Sequence, residues 1–557
     1  MGFAMMWVEA LAAAALWTAL VAAVVTRVQR RWLAMLLGIV GIGGLWLSSV
    51  LATVGMGLLA KYIGWSLFRW DLSWAIAYGV VALIVCGVGL RASRESLPRA
   101  ASWPRGRIAI AFAAVLVLYY ITLWNQDLAS QSRLAGLRAE ACARALSVAP
   151  TRVPPDQNAA PLYRDAFTIL SEIDDWPSEW NEKWTKWIQW DEPLDLDTSD
   201  PELVAYVNGM ESATALLREA AAKPGCYFDR DYGRPRIDML LPEVGGFQKG
   251  SRLLAVSARV KATNGQPEVA VANLQAMFRM TWHVEQDPLL ISGLVAMATD
   301  SYAVRTLEAL LADGHITVET LKLGPTQFYN ETLPRALRME EAFGLTLFSD
   351  LLLSDPATVA GLRDADVGLS GLDRVIASPA FELTGCAAAY RVFVLPADVG
   401  FYMHAMHRYQ NMTAMPYHEA HEQWDTMDKE VQQGKEMGLL SRLLFPALRS
   451  AVEHTVRADA RRGLARLALA VERCRVGKGA YPDSLDAVAP AFLPAVPRDP
   501  FDGKPLRMVR RDGQLVLYSV GENLKDDGGV PWDGKEKTGD IIFRLKVRDG
   551  GGAGGEP

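Results

Sequence analysis

Two histidine pairs have the residue types and spacing that could hold a metal. His404 and His407 are followed fourteen residues on by His418 and His421, with Glu422 next. Two i,i+3 pairs on adjacent helices could converge on one transition-metal ion. The segment His418-Glu419-Ala420-His421 is not the HExxH of zinc proteases, because its histidines are three apart. The alternative is a set of solvent-facing polar residues beside charged neighbours. A stripe of Trp176, Trp180, Trp184, Trp187 and Trp190 falls within about a 120° arc of one helix. It could meet a membrane surface, carbohydrate or a partner helix, or pack into the core, which is the favoured reading. The chain shows no Ser–His–Asp or Cys–His order, no phosphate-binding glycine loop and no paired carboxylates on one strand. No catalytic residue is assigned.

At 557 residues the chain is long enough for about two to four domains. Its net charge of −6 argues against nucleic acid as a main partner. Cys142, Cys226, Cys386 and Cys474 are scattered, with no CxxC pair, so spacing gives no zinc or redox motif. Each has apolar neighbours and reads as a free buried thiol, although four cysteines also permit three disulfide pairings.

The first 125 residues are almost all apolar. Runs at 8–25, 33–59, 73–90 and 108–124 are long enough to cross a bilayer, which takes roughly 20 residues. Arg27, Arg30 and Arg31 lie between the first two runs, and Arg91, Arg94, Arg99, Arg105 and Arg107 between the last two. The positive-inside bias makes these loops cytoplasmic and everything after Trp124 extracytoplasmic. The expectation is a four-helix transmembrane bundle in a bacterial inner membrane, with the lipid bilayer as partner. Glu9 is the one acidic residue in the runs, which favours an anchor over a transport path.

Residues 126–437 read as a large helical extracytoplasmic domain. Asn158 and the pair Asp200-Pro201 are helix-start signals. Apolar periodicity predicts helices at 249–263, 267–286, 288–313, 332–353, 382–414 and 417–434. Residues 438–548 form a third region. Val452, Val456, Ala460, Leu464, Leu467, Val471 and Cys474 make one apolar helical face, and Arg457, Arg461, Arg462, Arg466 and Glu472 cover the other side. Pro494, Pro497 and Pro500 carry an extended crossing. Strands are predicted at Leu506–Arg510, Gln514–Val520 and Ile541–Val547, with Asp512-Gly513 as a hairpin turn. An acidic loop holds Glu522, Asn523, Asp526, Asp527, Asp533, Glu536 and Asp540. The glycine-rich tail 549–557 is expected to be disordered.

This last region resembles the globular half of the type II secretion major pseudopilin. The matching residues are Tyr481-Pro482, Pro497-Arg498-Asp499-Pro500, Ser519-Val520-Gly521-Glu522-Asn523 and Gly539-Asp540-Ile541. The likeness spans about Ala451 to Leu545, under a fifth of the chain, and implies a small α+β domain. It also implies calcium in the acidic loop at Asn523 and Asp540, with Asp526 and Asp527 as nearby oxygen donors. The start of the chain departs from that family. Gly2-Phe3 occurs, but the first glutamate, Glu9, comes two positions late, so pilin-like processing and polymerisation are not expected.

The resulting expectation is a mainly α protein that is structural or interaction-based, linked to a secretion or surface apparatus. Its partner would be an envelope protein or a second copy. An envelope metal-dependent hydrolase using the histidines and a transporter accessory subunit are the alternatives.

Overall fold

The computed structural model describes residues 104–172, 196–236, 239, 241–314, 316, 332–352, 395–433, 446–534 and 536–546. They form eleven α-helices, one 3-10 turn and three strands. The first three apolar runs and the tryptophan stripe lie outside the described residues.

The expected transmembrane bundle and inner-membrane location are overturned. Among the described residues, no helix is long and apolar enough to cross a membrane. The fourth run is the first part of α1, Pro104–Leu146, a 43-residue helix about 65 Å long. The same helix continues without a break into Asp127, Arg133, Arg138, Glu140 and Arg144. An apolar run alone cannot separate a span from a helix that packs on protein.

The mainly helical reading with a small sheet holds for the described residues. After α1 come α2 (Ala160–Ser171), α3 (Pro201–Gly209), α4 (Glu211–Ala222), α5 (Glu243–Thr263), α6 (Pro267–Glu285) and α7 (Leu290–Asp313). Then follow α8 (Thr332–Leu352), α9 (Leu395–Thr413), α10 (Tyr417–Gln433) and α11 (Pro446–Lys478). Asp200 caps α3, its Oδ1 accepting from Glu202 N at 3.0 Å. Asn158 Oδ1 accepts from Ala160 N at 3.1 Å at the start of α2. The same amide also pairs with both backbone groups of Tyr227, so it joins two loops as well as opening a helix.

These elements surround two hydrophobic cores. The first joins α2 to α7 with the C-terminal two-thirds of α11 and the sheet; its members run from Ala159 to Leu545. The second gathers α1, α8, α9, α10 and the first turns of α11, around Phe348, Tyr402, Tyr409 and Trp424. Helix α11 therefore threads both, with Leu448, Ala451 and Val452 in one and Leu464, Leu467, Val471 and Cys474 in the other.

The sheet is antiparallel, β1 (Arg507–Arg511), β2 (Gln514–Ser519) and β3 (Ile541–Lys546) in sequence order. Asp512 and Gly513 both adopt positive φ, 49° and 72°, as a two-residue type I′ hairpin turn requires. Leu515, Leu517, Phe543 and Leu545 face α11 and join the first core. Val516, Tyr518 and Ile542 face the other way and are buried in a small cluster with Val509. The loop 521–540 supplies that cover. Gly529, at φ 77°, passes so close that a Cβ there would lie 2.9 Å from Val509 Cγ1.

Candidate functional site

The turn Pro497–Lys504 and the loop 521–540 are built around buried carboxylates. Asp499 is fully buried. Its Oδ1 accepts from Phe501 N at 3.0 Å and Ser519 Oγ at 2.8 Å. Its Oδ2 accepts from Val520 N at 2.9 Å and Arg507 Nη1 at 3.3 Å. The proline-rich crossing is thereby tied to the end of β2. Burial raises the Asp499 carboxyl above the usual range, against the pull of those N–H donors.

Arg507 projects from β1 and uses all three of its nitrogens. Besides Asp499, Nη2 meets Asp502 Oδ2 at 2.5 Å and Nε meets Asp526 Oδ2 at 3.1 Å. Asp526 Oδ1 accepts from Gly528 N at 3.1 Å and Tyr518 Oη at 3.2 Å. Deeper in the loop, Asp540 accepts from Gly529 N at 2.7 Å and from Asp527 N at 3.3 Å, one on each oxygen. Asp527 Oδ2 accepts from Gly539 N at 2.8 Å and Asn523 Nδ2 at 2.9 Å. Burial, aided by Asp527 and Asp526, pushes the Asp540 carboxyl up to about 6 although two N–H donors favour its ion.

The four residues expected to hold calcium thus share one loop. Their oxygens are turned onto backbone N–H groups, an amide, a tyrosine and an arginine. Calcium asks for six to eight oxygens facing one point. Asp526 is engaged by a guanidinium, and both Asp540 oxygens accept N–H bonds, so this arrangement does not fit a calcium cage.

The histidines are dispersed. His404, His407 and His418 are exposed. His407 lies 3.8 Å from Glu341 of α8, whereas His418 sits beside Gly503 of the C-terminal turn. His421 packs edge-on against Tyr417, ring centres 5.6 Å apart. Among the described residues, no group of three or more His, Cys, Asp or Glu side chains is placed to hold a metal ion. Cys142, Cys226 and Cys474 are free thiols, and Cys386 lies outside the described residues.

The sequence reading missed a seam of buried charge. The arginines opposite the apolar face of α11 pack against other helices. Arg462 pairs with Glu285 at the end of α6 at 2.7 Å and with Asp300 of α7 at 3.0 Å; all three are nearly inaccessible. Arg461 Nη1 donates to Ser301 Oγ at 2.8 Å, and Arg457 pairs with Glu522 of the acidic loop. The backbone N–H of Arg544 on β3 donates to Glu308 Oε1 of α7 at 2.9 Å, while Arg305 holds the other oxygen at 3.1 Å. A helix carboxylate thus covers an edge-strand donor that would otherwise invite pairing. The signal was present: α7 carries Asp300, Arg305 and Glu308 within an otherwise apolar helix.

A second buried group locks α2, α5 and α6. Arg230 pairs with Glu243 at 2.9 Å and Asp287 at 3.2 Å. Tyr163 Oη and His283 Nδ1 are 2.8 Å apart, and His283 Nε2 lies 3.1 Å from Lys223 O. Burial, with Arg279 nearby, pulls the His283 imidazole down to about 3, so it is neutral. In that state Nε2–H donates to the carbonyl and Nδ1 accepts from the tyrosine.

No family model matches the chain, and no curated protein or solved structure shows significant similarity to it.

Proposed function

We propose that this chain is a structural or interaction protein. A helical scaffold holds a small sheet module, and with it the acidic loop, in a fixed pose toward a protein partner or a second copy. The observation that carries this reading is the shared core. One apolar cluster runs from Ala159 of the scaffold to Leu545 of the sheet, and the arginine seam crosses the same boundary. A module attached for independent movement would keep a core of its own and a polar, modest contact with its neighbour. Fusion through a core instead suits a surface whose orientation matters to whatever it meets. The module's likeness to a type II secretion pseudopilin suggests a secretion or surface apparatus as the assembly.

The reading is tested by replacing Lys525, exposed in the acidic loop, with a photo-crosslinking amino acid in the full chain in its native cell. Arg473, exposed on α11, serves as the control position. A discrete adduct from 525, absent from 473 and identified by mass spectrometry, is the expected result. Equal or absent adducts at both positions, with the purified chain running as a monomer, would remove this reading.

A further inference from the structure

The acidic loop needs a cation to join it to the rest of the module, and the chain supplies one. Asp526 on the loop and Asp499 and Asp502 on the proline-rich turn are brought onto Arg507. The guanidinium is well shielded, its side chain 18% exposed. Its three nitrogens point along three directions in one plane, so it can bridge three carboxylates, as a divalent ion would, but with fixed geometry and a weakly held hydration shell. Of the other loop carboxylates, Glu522 pairs with Arg457 of α11, while Asp527 is held locally by Gly539 and Asn523, and Asp540 by Gly529 and Asp527.

We infer that Arg507 takes the role a calcium ion would have in such a loop, so that loop closure is independent of divalent metal. Asp499 anchors the arginine in the core, Asp502 fixes its second arm, and Asp526 is the arm by which Arg507 holds the loop. Arg507 is therefore a positioning residue for any surface that the loop 521–540 presents. The disagreement with the calcium expectation has a physical basis. The guanidinium already occupies Asp526 and offsets part of the negative charge around it, which weakens the field a second cation would feel.

Limited trypsinolysis of the full chain tests this, read by mass spectrometry at Lys525 and Lys537 within the loop. Where opening is fast relative to cleavage, the rate follows the open population. The wild-type chain should be cut at the same rate in chelator and in about 1 mM calcium, the weak end of the range for extracellular calcium modules. Asp526→Asn removes only the loop's arm and leaves the buried Asp499 pair intact, so it should fold. It should be cut several-fold faster at Lys537, whose own neighbours the change leaves intact, under both conditions. Arg507→Gln should be cut faster still, unless it fails to fold, in which case Asp526→Asn decides alone. Calcium protection of the wild-type loop would overturn the inference, as would an unchanged rate in Asp526→Asn.

Discussion

The two cores meet on α11 but are held together differently. The second is bound by shape and by buried carboxylates whose arginines reach solvent, Glu341 with Arg144 and Asp350 with Arg138, Arg234 and Arg236; Tyr402 inserts against Gly344 of α8, stacks edge-on with Phe348 at 5.4 Å, and donates to Glu340 O at 2.8 Å. The first carries fully buried ion pairs, Arg462 with Glu285 and Asp300, and Arg230 with Glu243 and Asp287. Apolar contacts attract in many arrangements, whereas a buried pair is tolerated in one. The difference teaches where orientation is specified. These charges sit where separate elements meet, α11 against α6 and α7, and the Arg230 loop against α5 and the end of α6.

The sharpest way to break the comparison is Arg462→Ala. It leaves two buried carboxylates without their cation and should destabilise the chain by about 3–5 kcal/mol in urea unfolding. The triple change Arg462→Met, Glu285→Gln and Asp300→Asn removes the charges together and should recover most of that loss. Equal losses in the single and triple variants would mean that shape, rather than charge, holds this boundary too.

The matching test in the second core is Gly344→Ala. The added Cβ would lie 2.0 Å from Tyr402 Oη and 2.3 Å from its Cζ. Tyr402 is fully buried and has no room to withdraw. The expected loss is about 1–3 kcal/mol, net of the gain from replacing a helical glycine. A neutral or stabilised variant would show that this core is loosely packed.

A pH titration separates two buried groups on the first core's side, one in the helices and one in the sheet module. His283 is held neutral down to about pH 3 in the folded chain, against 6.5 as its ordinary value. The unfolded chain therefore binds the proton first, and stability falls as pH drops from 6.5 toward 3. Between pH 7 and pH 5 the loss from this one group is about 2 kcal/mol. Asp540 acts in the opposite sense. Its folded carboxyl is raised to about 6 from 3.8, so the folded state takes up the proton first and gains stability as pH falls through that range. His283→Gln should flatten the wild-type decline, and Asp540→Asn should steepen it. Parallel pH profiles in the three proteins would refute both assignments.

The sequence was most legible where a signal is local. Helix-start signals, apolar period and the Asp512-Gly513 turn predicted most described helices and all three strands to within a few residues. Tertiary charge pairing was not legible. The arginines of α11 alternate with an apolar face as they would on a solvated helix, and only their acidic partners on α6 and α7 reveal that both faces are covered. The membrane expectation failed for a related reason: an apolar run records hydrophobicity, not what surrounds it. Among the candidate site residues, the acidic loop came together as its sequence proximity required. Its donors were not foreseeable, because Arg507 and the backbone of Gly529 and Gly539 reach the carboxylates only once the sheet is formed.

The smallest expected effect lies at Asp200, on the rim of the first core. Its carboxylate accepts from Glu202 N and opens α3, and α3 contributes only Leu203 and Val207 to the buried interior. Asp200→Ala should lose about 1 kcal/mol, the usual worth of a helix cap. Because the cap acts within one turn and touches none of the buried pairs, its loss should add to that of Arg462→Ala rather than replace it. Additivity within about 0.5 kcal/mol in the double variant would place the first core's specificity in the charge seam and leave its rim as a separate, local contribution. A clear departure from additivity would mean that the rim and the seam form one cooperative unit.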